Sequence, residues 1–229
     1  MQTVCRDFSP FPGVRIELIT KSIDSVLAGI TNSYGLIRGA TAFLVFIGDM
    51  NDPHIYEKVG YTGEGIILEA TAKGLNTCWV AGTFDRRAAS ASIGIAKNER
   101  ILAISPIGHA TQERSLTERT MIGLFRPHNR KPLSELADGL EESQWPAWIK
   151  AALEAARLAP SAVNRQPWRF ALDHSSITVS VDTPKRNLSI DKRLDCGIAM
   201  LHIEVAALNC GVKVKWELLE SPQVAKFTV

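Results

Sequence analysis

A chain of 229 residues suits one large domain or two small ones, and size scaling predicts that roughly 70 to 75% of its unfolded surface is buried on folding. Hydrophobic residues make up 45% of it, the formal net charge is +2, and no run of Lys or Arg marks a stripe for nucleic acid or anionic lipid. The longest strongly apolar run, "ATAFLVFIG" from Ala40 to Gly48, is too short to span a bilayer, and the N-terminus lacks a charged-then-apolar leader. The expectation is a cytoplasmic protein with no membrane and no nucleic-acid partner, acting on small molecules.

In chain order, "VRIELI" at Val14 to Ile19 alternates like a strand, "AFLVFIG" reads as a buried strand, and Gly65 to Lys73 reads as a helix stopped by Gly74. The preceding "GYTGEG" reads as the start of that helix and does not match a dinucleotide fingerprint. A strand at "LNTCWVAG", a short helix capped by Asp85 and a buried strand from Ile101 to Gly108 follow. A polar connection runs from Thr111 to Pro132, and "SELADGLEESQWP" leads into the second part. There the spacing predicts a helix ending at Ala159, strands at "WRFAL" and "SITVSVD", a helix from about Gly197 to Asn209 and a strand at "VKVKWEL".

Cys5, Cys78, Cys196 and Cys210 form no C-x-x-C pair, so they read as buried thiols rather than zinc ligands or disulfides. His54, His109, His128, His174 and His202 show no H-x-x-x-H spacing, and no G-x-S-x-G elbow or Walker loop occurs. No metal site and no acid, base or nucleophile constellation is expected. Glu64, Glu69, Asp191 and Asp195 read as helix-face or cap residues.

"GYTGEGIILEATAKGL" at Gly60 to Leu75 aligns without gaps to "GIAMLHIEVAALNCGV" at Gly197 to Val212, at a constant spacing of 137 residues. Each copy is an apolar helix bracketed by glycines and followed by a strand, and "FPGVRIELI" holds the same relative place as "QPWRFALD". The halves expected from this repeat are 1–135 and 145–229, with 136–144 as linker.

"LEAARLAPSAVNRQPWRF" resembles the A-P-S-x-x-N-x-Q-P-W motif of the FMN-dependent nitroreductase superfamily, and "GLNTCWVAGTFD" resembles that family's flavin-facing strand and loop. The order of the pieces is similar to a branch of the family in which two nitroreductase-like halves are fused into one chain. The resemblance implies an α+β fold and a pseudo-dimer, with FMN as cofactor and NAD(P)H as electron donor. It implies that Pro160, Ser161, Ala162, Asn164 and Gln166 approach the flavin from the second half, and Trp79, Val80, Ala81 and Gly82 from the first. Arg130 matches a phosphate-contacting arginine, and Lys131 is a weaker candidate. Because the A-P-S motif occurs only in the second half and the "TCWVAGTF" loop only in the first, one composite site per chain is expected, in a monomer.

Read without the resemblance, the motif is a proline-rich turn over a buried Trp168, Trp79 is a core aromatic, and Arg130 and Lys131 are surface charges. The chain also departs from its relatives. They open on an R-R-S-x-R-like segment that grips phosphate and ribityl chain, whereas this sequence opens "MQTVCRDFSPFPG", downstream of it, as a truncated product or fragment would. Charge-assisted contacts contribute roughly 1.5 to 3 kcal/mol each, so weaker FMN binding is expected. The activity implied is hydride transfer from NAD(P)H to a nitroaromatic, quinone or similar conjugated acceptor. Flavin N5 would be held about 3 to 3.5 Å from each partner in turn. The alternatives are a flavin-binding protein without turnover and a module with weak or no FMN binding.

Overall fold

The computed structural model describes residues 1–21, 23–27, 37, 40–91, 93–109, 129–183, 190–213 and 215–229. The chain divides into two compact units, Met1–Arg126 and Pro127–Val229. Most of the polar connection expected from Thr111 to Pro132 lies outside the described residues.

The first unit runs α1 (Gln2–Asp7), β1 (Val14–Ile19), α2 (Asp24–Leu27), β2 (Ala42–Asp49), α3 (Ile55–Ala72), β3 (Asn76–Thr77), α4 (Arg86–Ser90) and β4 (Glu99–Gly108). Its antiparallel sheet has the order β1-β2-β4-β3. β2 and β4 are central, and each reads as a near-continuous apolar run because both its faces are covered. Phe43, Val45 and Ile47 of β2 join Ile101 and Ile104 of β4 with Val80 and Phe84 in one core, while α3 packs on the sheet through β2.

Helix α3 starts ten residues before the expected Gly65. Glycines in a helix interior cost about 1 kcal/mol each relative to alanine, so "GYTGEG" reads locally as a boundary. Tertiary contact overrides that preference. A Cβ on Gly63 would lie 2.5 Å from the Trp79 ring, and one on Gly65 would collide with the Phe8 ring, so both glycines are sockets for aromatic side chains.

The second unit runs α5 (Leu133–Leu136), β5 (Ala137–Asp138), a 3-10 turn (Glu142–Gln144), α6 (Ala147–Leu158) and a second 3-10 turn (Ala162–Asn164). It continues with β6 (Trp168–Asp173), β7 (Ser176–Val181), α7 (Lys192–Asn209), β8 (Lys215–Leu218) and β9 (Gln223–Thr228). The sheet order is β5-β6-β7-β9-β8, with β5 parallel to β6 and the other pairs antiparallel. The segment read as a linker therefore holds a strand hydrogen-bonded into this sheet. α6 and α7 pack on each other, and α6 buries Ile149, Ala152, Leu153 and Ala156, the apolar stripe of "WIKAALEAARL".

Both units thus follow one scheme, an antiparallel strand pair, an 18-residue helix and a second antiparallel pair, with matching orders β1-β2-β4-β3 and β6-β7-β9-β8. Helix α7 begins at Lys192, earlier than the expected Gly197, because its charged first turn is neutralised from elsewhere in the unit. Lys192 Nζ donates to Asp182 at 2.7 Å, and Arg165 Nε to Asp195 at 2.6 Å. α1 and β9 carry no periodic signal strong enough to predict. Of the thiols, Cys5 and Cys196 are buried as expected, but Cys78 and Cys210 are exposed, since each sits where its chain leaves a helix or sheet. Among the described residues no helix is long and apolar enough to cross a membrane.

Candidate functional site

The residues singled out from sequence fall on three segments, residues 79–82 in the first unit and residues 130–131 and 160–166 in the second. In the first, the expected strand from Leu75 to Gly82 is reduced to β3 and a single bridge, after which the chain enters a loop ending at α4. Val80 is the loop's anchor. Its N–H and C=O exchange hydrogen bonds with Ile104 at 2.9 Å each, and its side chain is fully buried in the core, so Val80 has no group left to offer a ligand.

Trp79 is also held inside the unit. Its ring stacks on Phe46 with centroids 4.4 Å apart, and Nε1 donates to the buried Glu64 at 2.8 Å. Glu64 is therefore an interior partner rather than a helix-face residue. At the far end, Asp85 caps α4 by accepting from the Arg87 and Ala88 N–H groups, while its own N–H donates to Val26 C=O at 2.9 Å. Ala81 and Gly82 lie between these anchors, partly exposed. Next to them Thr83 Oγ1 is buried with no hydrogen-bond partner among the described residues. Desolvation raises the pKa of the nearby Cys78 thiol, even though the residue as a whole is exposed.

In the second unit Pro160 ends α6, and Ala159 takes the extended conformation that a following proline requires. The chain then makes a tight turn in which Val163, Asn164 and Gln166 all have positive φ, at 48°, 55° and 47°. Asparagine tolerates this left-handed region, but a β-branched valine does not, and such residues cost of order 1 to 3 kcal/mol each. Val163 is moreover exposed, so its own side-chain packing does not hold it there.

Polar bonds hold the turn from three sides. The Asn129–Lys131 segment lies against it: Arg130 Nη1 donates to Asn164 Oδ1 at 2.8 Å, Lys131 N–H to Gln166 Oε1 at 2.8 Å, and Asn164 Nδ2 to Asn129 C=O at 2.8 Å. Lys131 Nζ donates to the Arg165 and Gln166 carbonyls at 3.2 Å each. Within the turn, Ser161 Oγ accepts from Gln166 N–H at 3.0 Å. From α7, Asp195 Oδ1 accepts from Ala162 N–H at 3.1 Å and Oδ2 from Arg165 Nε. Trp168 lies fully buried at the start of β6, its Nε1 without a hydrogen-bond partner among the described residues.

The electrostatics of this segment are cationic. Burial, with Arg157 nearby, pushes the Arg130 guanidinium down from its ordinary pKa. Burial, with Arg169 and Lys192, pushes the Lys131 ammonium down as well, against the pull of Asp182 and Glu135. An anion bound there would oppose both shifts. Asp195 moves the other way: it is 1% exposed, and burial pushes its carboxyl up to about 6, against the opposing effects of Arg165 and the Ala162 amide.

Thus Arg130, Ser161, Ala162, Asn164 and Gln166 form one bonded cluster with Pro160 at its head. Trp79, Val80, Ala81 and Gly82 lie together on the other loop. Sequence reasoning missed Asp195, Arg165 and Asn129. Asp191 does cap its helix by accepting from Arg193 N–H, but Asp195, one turn on, points into the interior. The one available signal was a second acidic residue within the first turn, just ahead of the apolar run from Cys196 to Leu201.

The repeated strand order around an 18-residue helix and the A-P-S-x-x-N-x-Q-P-W turn point to a nitroreductase-like α+β protein. Residues 2–207 match the family described as "Putative TM nitroreductase", and the chain belongs to that family. Among solved structures it is similar to a protein of Thermotoga maritima described as a "putative nitroreductase", at 17% identity and a TM-score of 0.61, covering 97% of this chain and 78% of that one. This likeness establishes the fold. A nitroreductase family protein from Clostridium difficile is 22% identical over 58% of this chain and 78% of its own, with a TM-score of 0.41. An FMN-dependent nitroreductase from Clostridium difficile R20291 is 14% identical over 49% of this chain and 74% of its own, also at 0.41. No curated protein matches the chain.

Proposed function

We propose that this protein is an FMN-dependent oxidoreductase that passes hydride from NAD(P)H to a nitroaromatic, quinone or similar conjugated acceptor. The observation that carries the reading is the strained A-P-S turn, tied by Asn164 to Arg130 and by Gln166 to Lys131, two cations whose pKa values burial depresses. The donor set fits FMN. Arg130 and Lys131 suit the phosphate, and the Asn164 and Gln166 amides carry both donors and acceptors for a heterocycle or ribityl hydroxyl.

FMN supplies the hydride-accepting and hydride-donating ring, which is why no acid or base side chain is needed for that step. The residues of this chain bind and orient. Arg130 and Lys131 would neutralise the phosphate and the turn would present amide groups, while in the first unit Val80 and Trp79 brace the loop that leaves Ala81 and Gly82 partly exposed. The buried Thr83 hydroxyl gives that loop one more donor or acceptor for a ligand.

The test is a fluorescence-quenching titration of the apoprotein with FMN, followed by anaerobic addition of NADH or NADPH and then of a nitroaromatic or quinone. The expected results are one FMN per chain, bleaching of the flavin by the nicotinamide and recovery of colour with the acceptor. Arg130→Gln is expected to weaken FMN roughly tenfold or more, the loss of one charge-assisted contact. Stoichiometric FMN that neither nucleotide bleaches favours a flavin-binding protein without turnover. Failure to take up FMN at all overturns the proposal.

A further inference from the structure

We propose that Asp195 is a positioning residue: by gripping the Ala162 N–H and the Arg165 side chain from α7, it holds the strained turn in its ligand-presenting shape. This rests on the reading of that turn as a flavin surface. Both carboxylate oxygens are committed to the turn, Oδ1 at 3.1 Å to Ala162 N–H and Oδ2 at 2.6 Å to Arg165 Nε, which brackets Val163 and Asn164 between two fixed points. Arg165 Nη1 adds a bond to the Ile190 carbonyl at 3.2 Å, just ahead of α7, so the guanidinium ties the turn to that helix at two places.

Energetics single out this clamp. Val163 sits at φ 48° with an exposed side chain, so neither its backbone preference nor its packing favours the observed shape. The bonds from Asn129, Arg130 and Lys131 fall on Asn164, Arg165 and Gln166, the C-terminal side of the turn. On the N-terminal side Arg130 Nη2 donates to the Leu158 carbonyl and Ser161 Oγ accepts from Gln166 N–H, and Asp195 provides the bond from α7, at Ala162, the residue next to Val163. Without it, Val163 is free to return to negative φ, carrying Asn164 away from Arg130. The charged groups acting on Asp195 are Arg165 from the turn and Asp191 from its own helix.

The experiment compares the full-length wild-type apoprotein with Asp195→Asn by hydrogen–deuterium exchange, and both proteins by FMN titration. Exchange in a peptide covering residues 159–167 is expected to rise tenfold or more in the variant, while peptides from α7 and from β6 and β7 keep their protection. The FMN dissociation constant is expected to rise by about the same factor. Adding Val163→Asn, a residue at ease in the left-handed region, is expected to restore most of the protection. A merely structural carboxylate would raise exchange across the whole unit and would gain nothing from that second change.

Unchanged exchange at 159–167 overturns the proposal, as does FMN binding as tight in Asp195→Asn as in wild type. If Asp195→Asn proves unfolded, Arg165→Gln replaces it, because it removes the ionic half of the clamp and leaves Asp195 able to accept from Ala162. The same local loss of protection is then expected, and its absence overturns the claim. Should wild type take up no FMN while the turn still loosens in the variant, the clamp stands and the flavin reading falls.

Discussion

The loop of the first unit and the turn of the second are held by different forces. The loop from Cys78 to Asp85 is braced by packing: Trp79 on Phe46 and over Gly63, Val80 and Phe84 in the core, and one backbone bridge to Ile104. The turn from Pro160 to Pro167 buries Gln166 and Pro167 at its exit but leaves Val163 exposed, has three left-handed residues, and is tied by polar bonds from Asn129, Arg130, Lys131 and Asp195. A segment held by packing responds to volume. One held by charge responds to pH and to the loss of single partners.

Breaking the charged side is expected to have the largest effect. Asp195→Ala removes one partner of a buried ion pair and leaves the Arg165 guanidinium uncompensated, at a cost of about 3 to 5 kcal/mol in urea unfolding. On the packed side, Trp79→Ala loses the stack on Phe46 and the bond to Glu64, and is expected to cost about 3 kcal/mol, since the ring is partly exposed. If the contrast is real, the Trp79 loss stays constant between pH 5 and 8, whereas the Asp195 loss does not.

The pH dependence sharpens the same point. The folded pKa of Asp195 lies at about 6, raised by burial, against an unfolded value near 4. The folded state therefore binds the proton more tightly than the unfolded one. Its contribution is fully present below pH 4 and is lost as pH rises through about 6. The stability of wild type relative to Asp195→Asn is expected to fall across that window by up to about 3 kcal/mol. A flat difference would mean that the carboxyl titrates normally.

The smallest effect has the opposite sign. Val163→Asn relieves a β-branched residue of its left-handed backbone and is expected to stabilise the protein by about 1 kcal/mol, read from the same unfolding curves. Destabilisation instead would show that the valine side chain holds the turn, which its exposure argues against.

Much of the fold was legible because it is written in local periodicity. The alternation of "VRIELI", the apolar runs of β2 and β4, the stripe of α6 and the Asp85 cap all express preferences that short segments carry by themselves. The internal repeat was visible as paired glycine-bracketed helices, and the two sheets repeat one strand order. The start of α3 was misjudged because Gly63 and Gly65 make room there for Trp79, Phe46 and Phe8, contacts that a local window does not contain. β9 was missed because its half-covered pattern takes its meaning from β7 and β8 on either side.

At the site, the A-P-S-x-x-N-x-Q-P-W residues named themselves through their order along the chain. Proline and residues prone to turns determine by covalent geometry and side-chain chemistry that a helix ends and a turn begins there. Only the tertiary structure decided that Asn129, Arg130 and Lys131 lie against that turn and that Asp195 reaches it from α7. These partners are some thirty residues away in sequence, and an aspartate in the first turn of a helix looks the same whether it faces water or the interior. Burial separates the two cases. It turns an ordinary cap-region carboxylate into the counter-charge of Arg165, and a strained backbone into one that holds.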